Sequence, residues 1–170
     1  MQDALQAFEI RTYADNQWHA TAHTKVASQA AALAKRLAQL GCTKRFVVSS
    51  VSEGYSLPLV YLAAWRINAA VAPIDCEDRD EELADVIKRL DAAVVVCEEK
   101  DADRFRRLAT VPVLASLVVN EACDAPPVPF ASDAYAHCFF TSGSTGRPKG
   151  VSEWQFVWAH NQLKLLKIQR

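Results

Sequence analysis

"AAVVVC", Ala92 to Cys97, decides the fold class. Consecutive β-branched valines suit an extended strand, yet no polar residue falls at alternate positions. A strand with one wet face would alternate. This run reads as buried on both faces, as in a parallel sheet flanked by helices. Its neighbours agree. From about Arg79 to Leu90 the chain sets Leu83, Val86, Ile87 and Leu90 at helical spacing, which predicts a helix with one inner face. On the other side, Asp101 to Leu108 reads as a helix and "VPVLASLVV", Val111 to Val119, as a further strand.

The pattern continues outward. "AAVAPID" predicts a strand ending at Asp75. Ser56 to Asn68, apolar nearly all round, predicts a helix, with Pro58 tolerable in its first turn. "RFVVSSV", Arg45 to Val51, reads as a buried strand. Thr21 to Leu40 predicts an amphipathic helix, because Val26, Ala30, Leu33, Leu37 and Leu40 line one face and Gly41 follows as a stop. Residues before Thr21 read as irregular. A loop rich in proline and aspartate spans Ala122 to Asp133, and "YAHCFF", Tyr135 to Phe140, reads as a strand. The sum is an α/β fold, a mostly parallel sheet with helices on both faces.

The 170 residues are 51% apolar and 23% charged, the composition of a folded chain rather than a disordered one. Nineteen basic against 20 acidic residues leave a net charge of −1, which gives no reason to expect nucleic acid or an anionic membrane as partner. The longest apolar stretch, Leu57 to Ile74, is broken by Arg66 and Asn68 and bracketed by prolines, so it does not read as a membrane span. "MQDALQAFEI" lacks the apolar core of a signal peptide. The five cysteines are odd in number and form no CxxC pair, and His19, His23, His137 and His160 add no ligand pattern. His19 and His23, four apart, could share a helical face but lack a third ligand. The expectation is free thiols, no structural metal and a reducing, cytoplasmic setting.

Three of the chain's five glycines fall in "FFTSGSTGRPKG", Phe139 to Gly150. Gly143, Gly146 and Gly150 leave backbone N–H groups open to a ligand. Thr141, Ser142, Ser144 and Thr145 add hydroxyls, Arg147 and Lys149 add positive charge, and Pro148 interrupts any continuing helix. Donors, charge and open backbone at the carboxyl end of a strand describe a loop that grips phosphate. The spacing departs from GxxxxGK[ST], from GxGxxG and from GxSxG. The plainer alternative is a surface loop whose small residues merely make turns.

"TSGSTGRPKG" resembles, position by position, the phosphate-binding signature of the adenylate-forming superfamily. That superfamily comprises acyl- and aryl-CoA synthetases, luciferases and the adenylation domains of peptide synthetases. "YLAAWRINAAVAPID", Tyr61 to Asp75, is similar to a second family segment, and the helix ending at Gly41 to its opening helix. Two departures stand out: Asn68 and Ala69 occupy places where glycine is usual, and no histidine stands near Trp154 and Gln155.

The resemblance implies an AMP-forming ligase that activates a carboxylic or amino acid with ATP and Mg²⁺, the acceptor being a thiol of CoA or phosphopantetheine. Asp75 is similar to the amino-acid-activating branch, although it could equally cap the turn that follows. The implied nucleotide-binding residues are Thr141, Ser142, Gly143, Ser144, Thr145, Gly146, Lys149 and Gly150, with Lys149 neutralising the departing pyrophosphate. Residues 1–170 then form a partial N-terminal subdomain, a truncated portion not expected to be fully active alone, with 151–170 left as an unassigned tail. The family's adenine, ribose and acid sites and its mobile C-terminal domain have no counterpart here. Two rival expectations remain: a phosphate- or nucleotide-binding module without chemistry, and an interaction fragment stabilised by a partner.

Overall fold

The computed structural model describes residues 9–14, 16–52, 54–115, 117, 131, 133–141 and 149–154. Its elements follow the expected alternation from α1 (His23–Gln39) onward. They are β3 (Phe46–Ser50), α2 (Ser56–Trp65), β4 (Ala70–Pro73), α3 (Asp80–Arg89) and β5 (Val94–Cys97). A single 3-10 turn then leads into α4 (Ala102–Leu108), followed by β6 (Val113–Leu114), β7 (Tyr135–Thr141) and β8 (Lys149–Trp154). The last six strands form one sheet in the order β6-β5-β3-β4-β7-β8, parallel throughout except for β8, which runs antiparallel to β7.

The valine runs are buried from both sides, as their lack of polar alternation requires. Val47, Val71, Val94 and Val96 pack with α1 and α2 through Leu33, Leu37, Val60 and Ala64. Their alternate neighbours Val48, Ala72, Val95 and Cys97 pack with α3 and α4 through Leu83, Ile87 and Phe105. Two cores thus sandwich one sheet, which is why both faces had to be apolar.

Three helices end alike. The N–H of Cys42 returns to the Leu37 carbonyl and that of Gly41 to Ala38, with Gly41 at φ 75°. Ala69 and Asn68 make the same pair of bonds to Ala64 and Trp65, and Ala92 and Asp91 to Ile87 and Lys88. Each is the two-bond closure that needs one left-handed residue after the helix. Asn68 and Asp91 supply it at φ 57° and 46°. Asparagine therefore does at residue 68 what glycine usually does, and its Oδ1 also accepts the Ala131 N–H at 3.1 Å.

The start of the chain departs from expectation. Residues read as irregular form a hairpin, β1 (Glu9–Ala14) with β2 (Gln17–Ala22), turning through Asn16 at φ 59°. β2 is almost wholly exposed, so no core pattern marks it in the sequence. The hairpin is braced by a Tyr13–Trp18 edge contact with centroids 5.3 Å apart and by Ile10 of β1 against the core. His19 therefore sits in β2 while His23 opens α1, and the two do not share a helical face. Of the strand expected over 111–119, only Val113–Leu114 forms a strand, β6, among the described residues; 111, 112, 115 and 117 lie outside it. The loop Ala122–Asp133 lies outside the described residues apart from 131 and 133.

Candidate phosphate-binding site

β7 runs parallel to β4, with Val71 opposite His137, so Thr141 ends β7 on the edge where β3, β4 and β5 also present their carboxyl ends. The chain returns in β8, pairing Thr141 with Lys149 and Phe140 with Gly150. Thr141, Lys149 and Gly150 are thus brought together at the tip of one hairpin. Ser142, Gly143, Ser144, Thr145 and Gly146 lie outside the described residues. Lys149 is exposed at this edge. β8 runs on through Trp154, so residues 151–154 belong to the sheet, while 155–170 lie outside the described residues.

Gly150 has a packing reason to be glycine. A Cβ there would stand 3.0 Å from the Cys138 sulfur and 3.2 Å from the Phe140 ring. Phe140 in turn carries the Arg89 guanidinium over its face, 5.7 Å from the ring centroid. The hairpin beneath the loop is therefore tightly fitted on the α3 side.

Beside it, a crevice of about 550 Å³ opens at the carboxyl ends of β3 and β4, lined by Ser49, Ser50, Ser52, Pro73, Asp75 and Cys76 among others. α2 leaves β3 over one face of the sheet and α3 leaves β4 over the other, so the strand connections diverge here. Ligands of open α/β sheets favour such points. The Ser49 and Ser50 side-chain hydroxyls are buried without a hydrogen-bond partner. The Ser52 N–H donates to the Glu98 carboxylate at 3.0 Å. Asp75 Oδ1 accepts the Glu77 N–H at 2.9 Å, which caps the turn. In the sequence Ser49 and Ser50 read only as strand residues, because nothing local distinguishes a hydroxyl at a strand's ligand end from one in its middle.

The next turn is clamped from below. Arg104 of α4 donates through Nε to Asp80 at 2.8 Å and through Nη2 to the Asp78 carbonyl at 2.7 Å, and it also bonds the Cys76 carbonyl. Burial, then the Asp75 and Glu82 charges, raise the Asp78 carboxyl above its ordinary range, with Arg104 opposing them.

His137, on the opposite face of β7 from Cys138, is buried, with Nε2 3.4 Å from Glu153 Oε2 across the strand pair. Burial lowers its pKa below the ordinary imidazole value, and the Glu153 charge pulls the other way. Among the described residues no three His, Cys, Asp or Glu side chains are grouped to hold a metal ion. No described helix is long and apolar enough to cross a membrane. Cys42, Cys76, Cys97 and Cys138 are unbridged.

The family model described as AMP-binding enzyme matches residues 2–155. The hydroxamate-type ferrichrome siderophore peptide synthetase of Schizosaccharomyces pombe is 31% identical over 158 residues, covering 89% of this chain and 3% of that protein. Among solved structures, ATP-bound MatB from Rhodopseudomonas palustris matches 88% of this chain and 32% of its own, with 23% identity and a TM-score of 0.78. The fatty acyl-adenylate ligase of L. pneumophila, solved with acyl adenylate and pyrophosphate, matches 94% and 29%, with 20% identity and a TM-score of 0.77. The chain spans about a third or less of each of these proteins. With the signature hairpin, the parallel sheet and these matches together, the chain belongs to the AMP-binding enzyme family.

Proposed function

We propose that this chain supplies the phosphate-binding part of an enzyme that activates a carboxylic acid with ATP. A substrate carboxylate oxygen attacks the α-phosphorus, a new P–O bond forms, and the bond to the β-phosphate oxygen breaks. The products are an acyl-adenylate and pyrophosphate, and no proton needs to move because the acid enters ionised. The observation that carries the reading is the string Thr141 to Gly150 leaving the carboxyl end of a parallel strand.

In this reading Thr141, Ser142, Ser144 and Thr145 hold the β- and γ-phosphates through hydroxyls and backbone N–H groups. Gly143 and Gly146 let that backbone approach, and Gly150 seats the returning strand. Lys149, exposed beside Thr141, neutralises charge on the leaving pyrophosphate. Mg²⁺ would enter with ATP, held chiefly by phosphate oxygens. The described residues offer no acidic cluster of their own for it, so no step is assigned through it. An amino acid is the favoured substrate class, because the siderophore relative is a peptide synthetase. A carrier-protein or CoA thiol would then accept the acyl group.

The test is ATP binding, together with carboxylate-dependent exchange of labelled pyrophosphate into ATP across amino, fatty and aryl acids. ATP binding that weakens about ten-fold or more in Lys149→Ala is the expected result, and exchange lost in the same variant would show that this chain also adenylates. Folded protein whose ATP binding is indifferent to Lys149→Ala would remove the role assigned to this loop. Folded protein that binds no ATP would remove the reading altogether.

A further inference from the structure

Among the described residues, the sheet's α2 side is only partly covered. α1 and α2 pack over β3, β4 and β5, whereas the β7–β8 hairpin keeps apolar side chains in the open on that side. Phe139 is 47% exposed and Leu62 of α2 is 40% exposed. Both border a groove of about 600 Å³ whose walls also include Leu57, Tyr61, Trp65 and His137. Val151, directly opposite Phe139 and so on the same face, is 60% exposed and extends the apolar strip onto β8. Little along this groove is polar: burial pushes the Tyr61 hydroxyl up to about 12, and His137 already faces Glu153. Contiguous apolar surface of this kind marks a docking site.

Chain direction identifies the occupant. α2 descends from the carboxyl edge of the sheet, where Leu57 and Pro58 lie near Pro73, to Trp65, whose Nε1 donates to the Ala136 carbonyl at 2.9 Å. β8 descends likewise and ends at Trp154, opposite Tyr135. The chain therefore emerges from β8 at the Trp65 end of the groove, with residues 155–170 still to run. In that segment Phe156, Ala159, Leu163 and Leu166 recur at intervals of three, four and three, an apolar stripe on the helical period, with Lys164 off it and Lys167 at its edge. Such a segment could reach about 24 Å at a helical rise, against about 15 Å for α2, so it is long enough to cover the groove from end to end.

We propose that residues 155–170 dock the stripe Phe156, Ala159, Leu163 and Leu166 into the groove between α2 and β7. The tail thereby becomes the missing cover of the β7–β8 hairpin and holds the strand that carries Lys149. This inference is independent of what the phosphate loop binds.

Hydrogen exchange of the full chain, read by mass spectrometry, tests it. Peptides from 155–170 are expected to exchange at least about ten-fold more slowly than an unstructured chain. That protection should be lost in Leu62→Glu and in Phe139→Glu, while peptides from α1 keep theirs and report that the fold survives. Both substituted side chains are already substantially exposed, so the core should tolerate them. From the other side, Leu163→Glu leaves every described element untouched and should raise binding of an anilinonaphthalene dye at the groove. Unprotected 155–170 in the natural chain would overturn the proposal. So would protection indifferent to both groove variants, or protection that appears only as concentration rises, which would put a second copy in the groove.

Discussion

At residue 68 a side chain substitutes for a missing glycine. Asn68 holds φ 57° and is buried, and its Oδ1 ties α2 to Ala131. Left-handed backbone costs an ordinary L-residue roughly 1–2 kcal/mol, and orphaning the Ala131 N–H adds roughly 1 kcal/mol. Asn68→Ala should therefore destabilise by about 2 kcal/mol in urea unfolding. Asn68→Gly, which keeps the backbone and loses the bond, should cost about half as much. Equal losses would mean the backbone term is absent. Gly150 presents the opposite constraint, since space and not φ is limiting there. Gly150→Ala should cost about 1 kcal/mol by crowding the Cys138 sulfur. In Cys138→Ala background the same change should be milder by about 0.5 kcal/mol or more. Additive losses would show that the close approach to Cys138 is not what selects glycine.

The β7–β8 hairpin carries its own pH dependence. Because burial depresses the His137 pKa, the unfolded chain, near the ordinary value of about 6.5, binds a proton more readily than the folded one. Stability is then complete above about 6.5 and is lost as pH falls through that value toward the folded pKa. Denaturation midpoints at pH 8 and pH 5 should differ by less in His137→Gln than in the natural chain. An unchanged difference would assign the slope to other groups. Local reading found β7 from its apolar run and placed the signature after it. The pairing of His137 with Glu153 stayed hidden, because it depends on β8 folding back in register. The β1–β2 hairpin is illegible for a different reason: β2 buries almost nothing and β1 packs chiefly Ile10 against the core, so hydrophobic periodicity gives no signal.

Across the whole molecule, two cores on either side of one sheet protect different thiols. Burial pushes the Cys42 thiol, in the α1–α2 core, and the Cys97 thiol, in the α3–α4 core, up to about 11. Thiolate is the reactive form. Under native conditions iodoacetamide should label Cys76, which is only partly buried, well before Cys42 or Cys97, as read by peptide mass spectrometry. Cys42 and Cys97 labelling together would indicate global opening. Cys97 alone would indicate that the α3–α4 layer opens independently.

By itself the sequence determined the layered α/β class, the order of elements from α1 to β7, and the place of the glycine-rich signature string after β7. These are encoded in short-range terms: unbroken valine runs, helical spacing of apolar residues, left-handed helix stops and a contiguous motif. Tertiary structure alone decided that β8 folds back to pair Lys149 with Thr141. It also decided that Gly150 answers to Cys138, that Ser49 and Ser50 reach a crevice, and that an apolar groove opens between α2 and β7. Each of those facts joins residues distant in sequence, or turns on which of two strand faces another element covers. No local pattern carries that information, because it exists only once the sheet has chosen its neighbours.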